Sequence, residues 1–313
     1  MEGQQLIDVL RITGAALAIG VTAWFAVRRI AELVGLLRAA QPDPERGTWA
    51  YAISNLKYQL TKVLGQKKLL RWSVPGVFHA WIFWSFLVVQ ATLIEIAGEI
   101  FDPHFKIPLA GRIRFPGSDV DLLDVVVFTQ DAFILLGIVA IAGFLVMRLT
   151  QHPNRLGRRS RFAGSNLDQG YWVLMGEFGV TYTLLLLHGA RVAEGGEQAA
   201  HFAPAFLSQL VGQQLVGIPE TGLQAIVAAM VVVHIAIVGW FLVFTLSSKH
   251  LHVLTIFPQV AVSRQPKALG ALPPMDIDLE AMDEETVLGV GKVEDLTWTT
   301  FLDLYTCTEC GRC

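Results

Sequence analysis

The sequence predicts an all-α membrane protein, a five-helix transmembrane bundle with a polar C-terminal tail. Three observations predict it. Of 313 residues, 53% are hydrophobic and only 16% charged, where a soluble domain carries about 25% charged residues. Five stretches reach the roughly 20 mostly apolar residues that a spanning helix needs. Lys and Arg gather in alternate loops. This composition argues against an ordinary soluble enzyme, and the net charge of −3 gives no footprint of nucleic-acid binding.

The five stretches fall at about 6–27, 77–100, 122–147, 171–192 and 222–246. The first contains Asp8 and Arg11 near its start. It lacks the positive leading region and small-residue cleavage site of a secretory signal, so it is expected to stay as the first span. The segment from Arg28 to Gly76 holds nine Lys and Arg, and the loop after the third span holds Arg148, Arg155, Arg158, Arg159 and Arg161. The loop after the second has three, and the loop after the fourth has none between Val192 and Thr221. The positive-inside rule then puts the N-terminus outside and the tail in the cytoplasm.

Within the first basic loop, Ile53, Leu56, Leu60, Val63 and Leu64 alternate at helical spacing with Lys57, Lys62, Lys67 and Lys68. The segment 49–72 reads as an amphipathic helix on the membrane surface, with Trp49, Tyr51 and Trp72 suited to the headgroup layer. A plain soluble loop helix is the alternative.

Four of the eight histidines stand out by depth and phase. His234 and His252 are 18 residues apart. On one continuous helix that is five full turns, which would put both on one face about 27 Å apart. A six-coordinate b-type haem takes two axial ligands, commonly imidazole, facing each other across helices of a bundle. His79, at the start of the second span, is level with His252, and His188, far along the fourth, is level with His234. The expected pairs are therefore His79–His252 near the cytoplasm and His188–His234 toward the outside, for one or two haems b. Each histidine alone could instead bond to a neighbouring helix or sit among headgroups. His104, His152 and His201 read as solvated loop residues. Gln90, Glu95, Gln130, Asp131, Glu177 and Arg191 are intramembrane polar residues and functional candidates; helix-to-helix pairing is their alternative.

All three cysteines lie in the last seven residues, as Cys307-Thr-Glu-Cys310-Gly-Arg-Cys313. C-x2-C-x2-C opens the ferredoxin run that binds a [4Fe–4S] cluster. Zinc ribbons use two separated C-x2-C knuckles instead, and a disulfide does not suit the reducing side. The fourth thiolate is missing, so the sequence reads as an N-terminal piece of a longer protein. The segment 253–295, with Pro273-Pro274 and the acidic run Asp276–Glu285, reads as a cytoplasmic linker. Residues 296–313 read as a truncated start of the iron–sulfur domain, with a short helix over Leu296–Tyr305.

Together, these residues resemble the di-haem gamma subunit of respiratory nitrate reductase, fused to an iron–sulfur protein related to heterodisulfide reductase. The resemblance rests on the five spans, His79 opening the second, His234 and His252, and the cysteine run preceded by Leu302-Asp303-Leu304. The stretch Gln66-Lys67-Lys68-Leu69-Leu70-Arg71-Trp72-Ser73-Val74-Pro75-Gly76 with His79 is most similar to the membrane subunit of the bacterial electron-transfer-flavoprotein:menaquinone oxidoreductases. In the nitrate reductase family another histidine lies about three turns into the second span; here that place holds Val89 and Gln90, which is why His188 is assigned to His234.

The resemblance implies a multi-pass protein of the bacterial cytoplasmic membrane. Electrons from a reduced electron-transfer flavoprotein, or a similar soluble donor, would pass through iron–sulfur centres and haem b to menaquinone. Two other functions fit the same residues: a quinol-oxidising cytochrome b subunit feeding a separate reductase, which the fused cysteine run disfavours, and a non-redox anchor or transporter with structural histidines.

Overall fold

A computed structural model describes residues 2–103, 105, 113–117, 120–264 and 290–308. His104, Cys310 and Cys313 lie outside the described residues, as does the acidic linker over 276–285. The described chain is helical, with no strand. In order it forms α1 (Glu2–Ala39), α2 (Trp49–Ser54), α3 (Leu56–Tyr58), a π turn (Gln59–Leu64), α4 (Ser73–Glu99), α5 (Leu122–Thr150), α6 (Pro153–Leu156) and a 3-10 turn (Gly157–Arg159). There follow α7 (Leu167–Glu194), α8 (Gly196–His201), α9 (Phe206–Leu215), α10 (Glu220–Leu246), a 3-10 turn (Lys249–Leu251), α11 (His252–Ala261), a 3-10 turn (Val293–Asp295) and α12 (Trp298–Tyr305).

Among the described residues five helices are long and apolar enough to cross a membrane: those holding α1, α4, α5, α7 and α10. Their bounds differ from the apolar stretches, most of all in α1, which continues to Ala39, and polar residues cap two of them. Asp121 accepts from the Asp124 N–H, and the Asp124 side chain reaches back to the Asp121 N–H, closing a capping box on α5. Asn166 caps α7 by accepting from the Gln169 N–H.

The chain divides into two compact units. The first holds Met1–Ala26 and Lys68–Phe244. Its core joins α4, α5, α7 and α10 through Val89, Ile96, Ile134, Leu184, Leu187, Val227 and Val231, with Ala15 from α1. Small residues let these helices approach. A Cβ on Gly137 would stand 3.3 Å from the Ser85 hydroxyl, and that hydroxyl donates to the Phe133 carbonyl at 2.7 Å.

The second unit holds Val27–Lys67 and Thr245–Cys313. In it the segment read as one amphipathic helix over 49–72 is broken. Regular α-helix stops at Ser54, Asn55 turns, and the chain continues through α3 and the π turn only to Leu64. The cause is a polar contact that a straight helix would not make. Asn55, fully buried, donates from Nδ2 to the carbonyls of Ala261 at 2.8 Å and Ser263 at 3.2 Å. Gln59 also donates to the Phe257 carbonyl. The face away from these contacts keeps Trp49, Ile53, Leu56 and Leu60 exposed at spacings of four, three and four residues.

The sequence places His252 on the fifth span, in phase with His234. The structure corrects this. α10 stops at Leu246. Ser248 is extended (φ −132°, ψ 176°) and caps the 3-10 turn, its side chain accepting from the His250 N–H at 3.2 Å. α11 then starts at His252, so the constant rotation per residue does not carry across, and the linker read as beginning at 253 opens as helix.

Candidate functional site

Each of the four histidines meets a different environment. His234, on α10, is fully buried, and its Nδ1 lies 2.9 Å from the Thr183 hydroxyl of α7. That hydroxyl also contacts the Gly179 carbonyl at 2.7 Å. When its one hydrogen goes to Gly179, the oxygen accepts from Nδ1–H, and the lone pair of the neutral ring is left on Nε2. His234 Nε2 is buried with no hydrogen-bond partner. Leaving a buried ring nitrogen unsatisfied costs on the order of 1–3 kcal/mol. A histidine that ligates a metal has the same division, one nitrogen held by an outer partner and the other free to donate.

His252 repeats half of this pattern in the second unit. Its Nδ1 lies 3.0 Å from the Lys249 carbonyl, which can only accept, so Nδ1 carries the proton and Nε2 the lone pair. Burial lowers its pKa and outweighs the opposing bond to Lys249, so the ring is held toward its neutral form. The His250 ring packs edge-on against it, with centroids 5.3 Å apart.

His188 is buried on α7, its ring 4.5 Å from that of Phe202. Thr183 is the α7 residue hydrogen-bonded to His234. His188 lies five residues farther along, about 7.5 Å of helical rise. It lines a small cavity with Thr92, Glu95, Glu99, Gln198 and His201. His201, read from sequence as a solvated loop residue, is half-buried at the end of α8. His79 is half-buried in the first turns of α4, in the first unit.

The intramembrane polar residues separate by their partners. Asp131 has a structural role at the start of α9: its carboxylate accepts from the Ser208 N–H at 3.2 Å, the Ser208 hydroxyl at 2.7 Å and the Leu207 N–H. Arg191 pairs with Glu99 and Glu194, each at 3.1 Å. Gln90 bonds back to the Phe86 carbonyl at 2.9 Å. Gln130 has both side-chain polar atoms buried without a partner, and Glu95 has one such oxygen.

Among the described residues no three His, Cys, Asp or Glu side chains gather into a metal site. Cys307 is exposed, just past the end of α12. Sequence reasoning missed Thr183, one of three hydroxyl residues in the run Thr181-Tyr182-Thr183 on α7, and Thr255 and Thr306, which meet across α11 and α12 at 3.0 Å.

Two relatives can be aligned over most of the chain. One, from Bacillus subtilis (strain 168), is named a probable iron-sulfur-binding oxidoreductase, FadF; it is 28% identical over 251 residues, covering 80% of this chain and 32% of the relative. The other, from Syntrophomonas wolfei subsp. wolfei (strain DSM 2245B / Goettingen), is named an EtfAB:quinone oxidoreductase; it is 25% identical over 271 residues, covering 79% of this chain and 32% of the relative. The chain thus spans about a third of the length of the curated relatives it matches. No protein-family profile matches it, and no solved structure does.

Proposed function

We propose that this distant relative of oxidoreductases is the membrane electron-transfer part of a quinone-linked oxidoreductase. It would pass electrons between a cytoplasmic iron–sulfur or flavoprotein donor and the menaquinone pool through haem b. The observation that carries the reading is His234, a fully buried imidazole with Nδ1 held and Nε2 left without a partner. A bound haem would supply a one-electron carrier inside the bilayer, where a diffusing charge is expensive.

The chain's own residues would do the rest. His234 and His252 present neutral rings of fixed tautomer, and Thr183 and the Lys249 carbonyl orient them. His188 and His79 are the proposed partners, on α7 for His234 and on α4 for His252. The donor set Cys307, Cys310 and Cys313 suits three corners of a [4Fe–4S] cluster, with a fourth ligand from outside this run. The printed names of the relatives, an iron–sulfur-binding oxidoreductase and an EtfAB:quinone oxidoreductase, favour iron–sulfur chemistry, an electron-transfer flavoprotein as donor and a quinone as acceptor.

The loop charges favour a bacterial cytoplasmic membrane protein with its tail inside, and the exposed Trp49, Ile53, Leu56 and Leu60 favour contact with the headgroup layer. The nitrate-reductase-gamma likeness of the bundle belongs to the same proposal.

A pyridine haemochrome assay on the detergent-solubilised full-length protein tests it. The expected value is one or two haems b per chain. A value near zero in folded protein expressed with adequate haem overturns the reading.

A further inference from the structure

The second unit contains both His252 and Cys307, and its described residues tie them together. α12, the helix that leads into the cysteine run, is fixed at both ends. At its start, a backbone pairing joins Gln41 to the tail: Gln41 N–H donates to the Leu296 carbonyl and Trp298 N–H to the Gln41 carbonyl, both at 3.0 Å. Thr299, fully buried, donates to Asp43 at 2.5 Å and accepts from Arg46 Nη2 at 2.5 Å. Arg46 Nε donates to Asp43 at 2.9 Å. Farther along, Gln259 of α11 donates to Asp303 at 2.7 Å, and the Tyr305 hydroxyl donates to the Leu33 carbonyl at 3.2 Å.

The last anchor lies beside the cysteine. The hydroxyls of Thr306 and Thr255 are 3.0 Å apart. Thr255 also contacts the Leu251 carbonyl at 3.1 Å, and Thr306 the Leu302 carbonyl at 2.8 Å. Two hydroxyl hydrogens satisfy two of these three contacts at a time, and the arrangement that uses the Thr306–Thr255 contact links α12 directly to α11. Thr255 lies three residues, just under one turn, after His252, and Cys307 follows Thr306 in the chain.

We infer that α12 is a fixed mount that sets the spacing between the Cys307 sulfur and the His252 imidazole, with Thr255 and Thr306 as its positioning residues. A tail tied only through its chain connection would let that spacing vary. Bonds from the 41–46 loop, α11 and the end of α1 hold it from three sides. The inference rests on the reading of Cys307 and His252 as redox ligands, and it adds that the described residues of this chain themselves hold the junction between them.

The test uses full-length protein carrying both cofactors and compares wild type with the double variant Thr255→Val, Thr306→Val. Haem and iron–sulfur contents are measured together with the enhancement of the reduced cluster's spin relaxation by the oxidised haem, which reads their separation. The expected result is unchanged contents and a severalfold loss of relaxation enhancement in the variant. Unchanged enhancement with both contents intact overturns the mount and leaves the electron-transfer reading standing. A His252→Ala variant that keeps the wild-type haem content overturns the mount, and full-length protein that binds no haem overturns both. Hydrogen exchange of wild-type residues 298–306 is a second measurement that does not need the variant to fold: protection comparable to the core supports a fixed helix, and fast exchange overturns it.

Discussion

Thr183 Oγ1 and His234 Nδ1 lie 2.9 Å apart, so a threonine of α7 holds the buried imidazole of α10 by a hydrogen bond. The contact fixes the ring and its tautomer and leaves Nε2 as the donor. His234→Ala should remove haem from the solubilised full-length protein, one of two if both pairs are filled. Thr183→Val keeps the volume of the side chain and deletes the oxygen, so His234 should stay but lose its orientation. Losing an outer partner of this kind typically costs about 10–100-fold in metal affinity. Haem retention during dilution and washing, followed by absorbance, should fall in Thr183→Val and stay at wild-type level in a Thr183→Ser variant.

His188→Ala separates one haem from two. It lies about 7.5 Å along α7 from Thr183 and packs on Phe202. If it is the partner of His234, its removal should lower the haemochrome value by the same amount as His234→Ala. If the value does not fall, His188 belongs to the polar cavity with Glu95, Glu99 and His201 and not to a haem.

The five spans were legible because hydropathy is a property of composition, and a bilayer sorts on composition. The caps of two of them, Asp121 on α5 and Asn166 on α7, are of the usual capping types but were not read from the sequence. The break after Leu246 was not read from the sequence, where the 18-residue spacing of His234 and His252 matches one continuous helix; the Ser248 side chain that caps the following turn is its local mark. Asp131 could not be assigned, since only the fold brings the start of α9 to its carboxylate. The docking of α12 was not legible either. Its bonds join residues far apart in sequence, from Gln259 and Asp303, 44 positions apart, to Arg46 and Thr299, 253 apart, and no local pattern encodes them.

Cys310→Ser should remove the iron–sulfur signal of this cysteine run in the full-length protein. Haem content should remain, because the histidines lie on other elements. Electron paramagnetic resonance of the reduced protein beside the haemochrome value checks both halves. A spectrum that keeps every iron–sulfur signal of the wild type would sink the cluster assignment.

Asp131→Ala should destabilise the bundle without touching electron transfer directly. It strips the Ser208 N–H, the Ser208 hydroxyl and the Leu207 N–H of their acceptor, in a site that is almost fully buried. Each donor left unsatisfied costs about 1–3 kcal/mol. The measurement is the thermal midpoint of the detergent-solubilised protein, expected to fall well below that of wild type while the haem spectrum of the surviving folded fraction is unchanged.

The anchoring of α12 should depend on pH through Asp43. Burial pushes the Asp43 carboxyl upward, but the Thr299 hydroxyl, the Arg46 backbone N–H and the Arg46 guanidinium together outweigh it and hold the pKa below the ordinary carboxylate value. A folded-state pKa below the unfolded one means that the contribution is fully present above the unfolded value of about 3.9. It is lost as pH falls through the folded value, where both states are protonated. The helix should therefore stay docked at neutral pH and loosen on acidification, with faster hydrogen exchange over residues 298–306. Asp43→Asn removes the charge at every pH, so its exchange at neutral pH should be faster than wild type, and the dependence on acid should flatten. The charge-assisted bonds to Arg46 and Thr299 set the scale of that change, about 1.5–3 kcal/mol in the opening free energy of α12. Equal exchange in variant and wild type at neutral pH would show that the carboxylate is not what holds the helix.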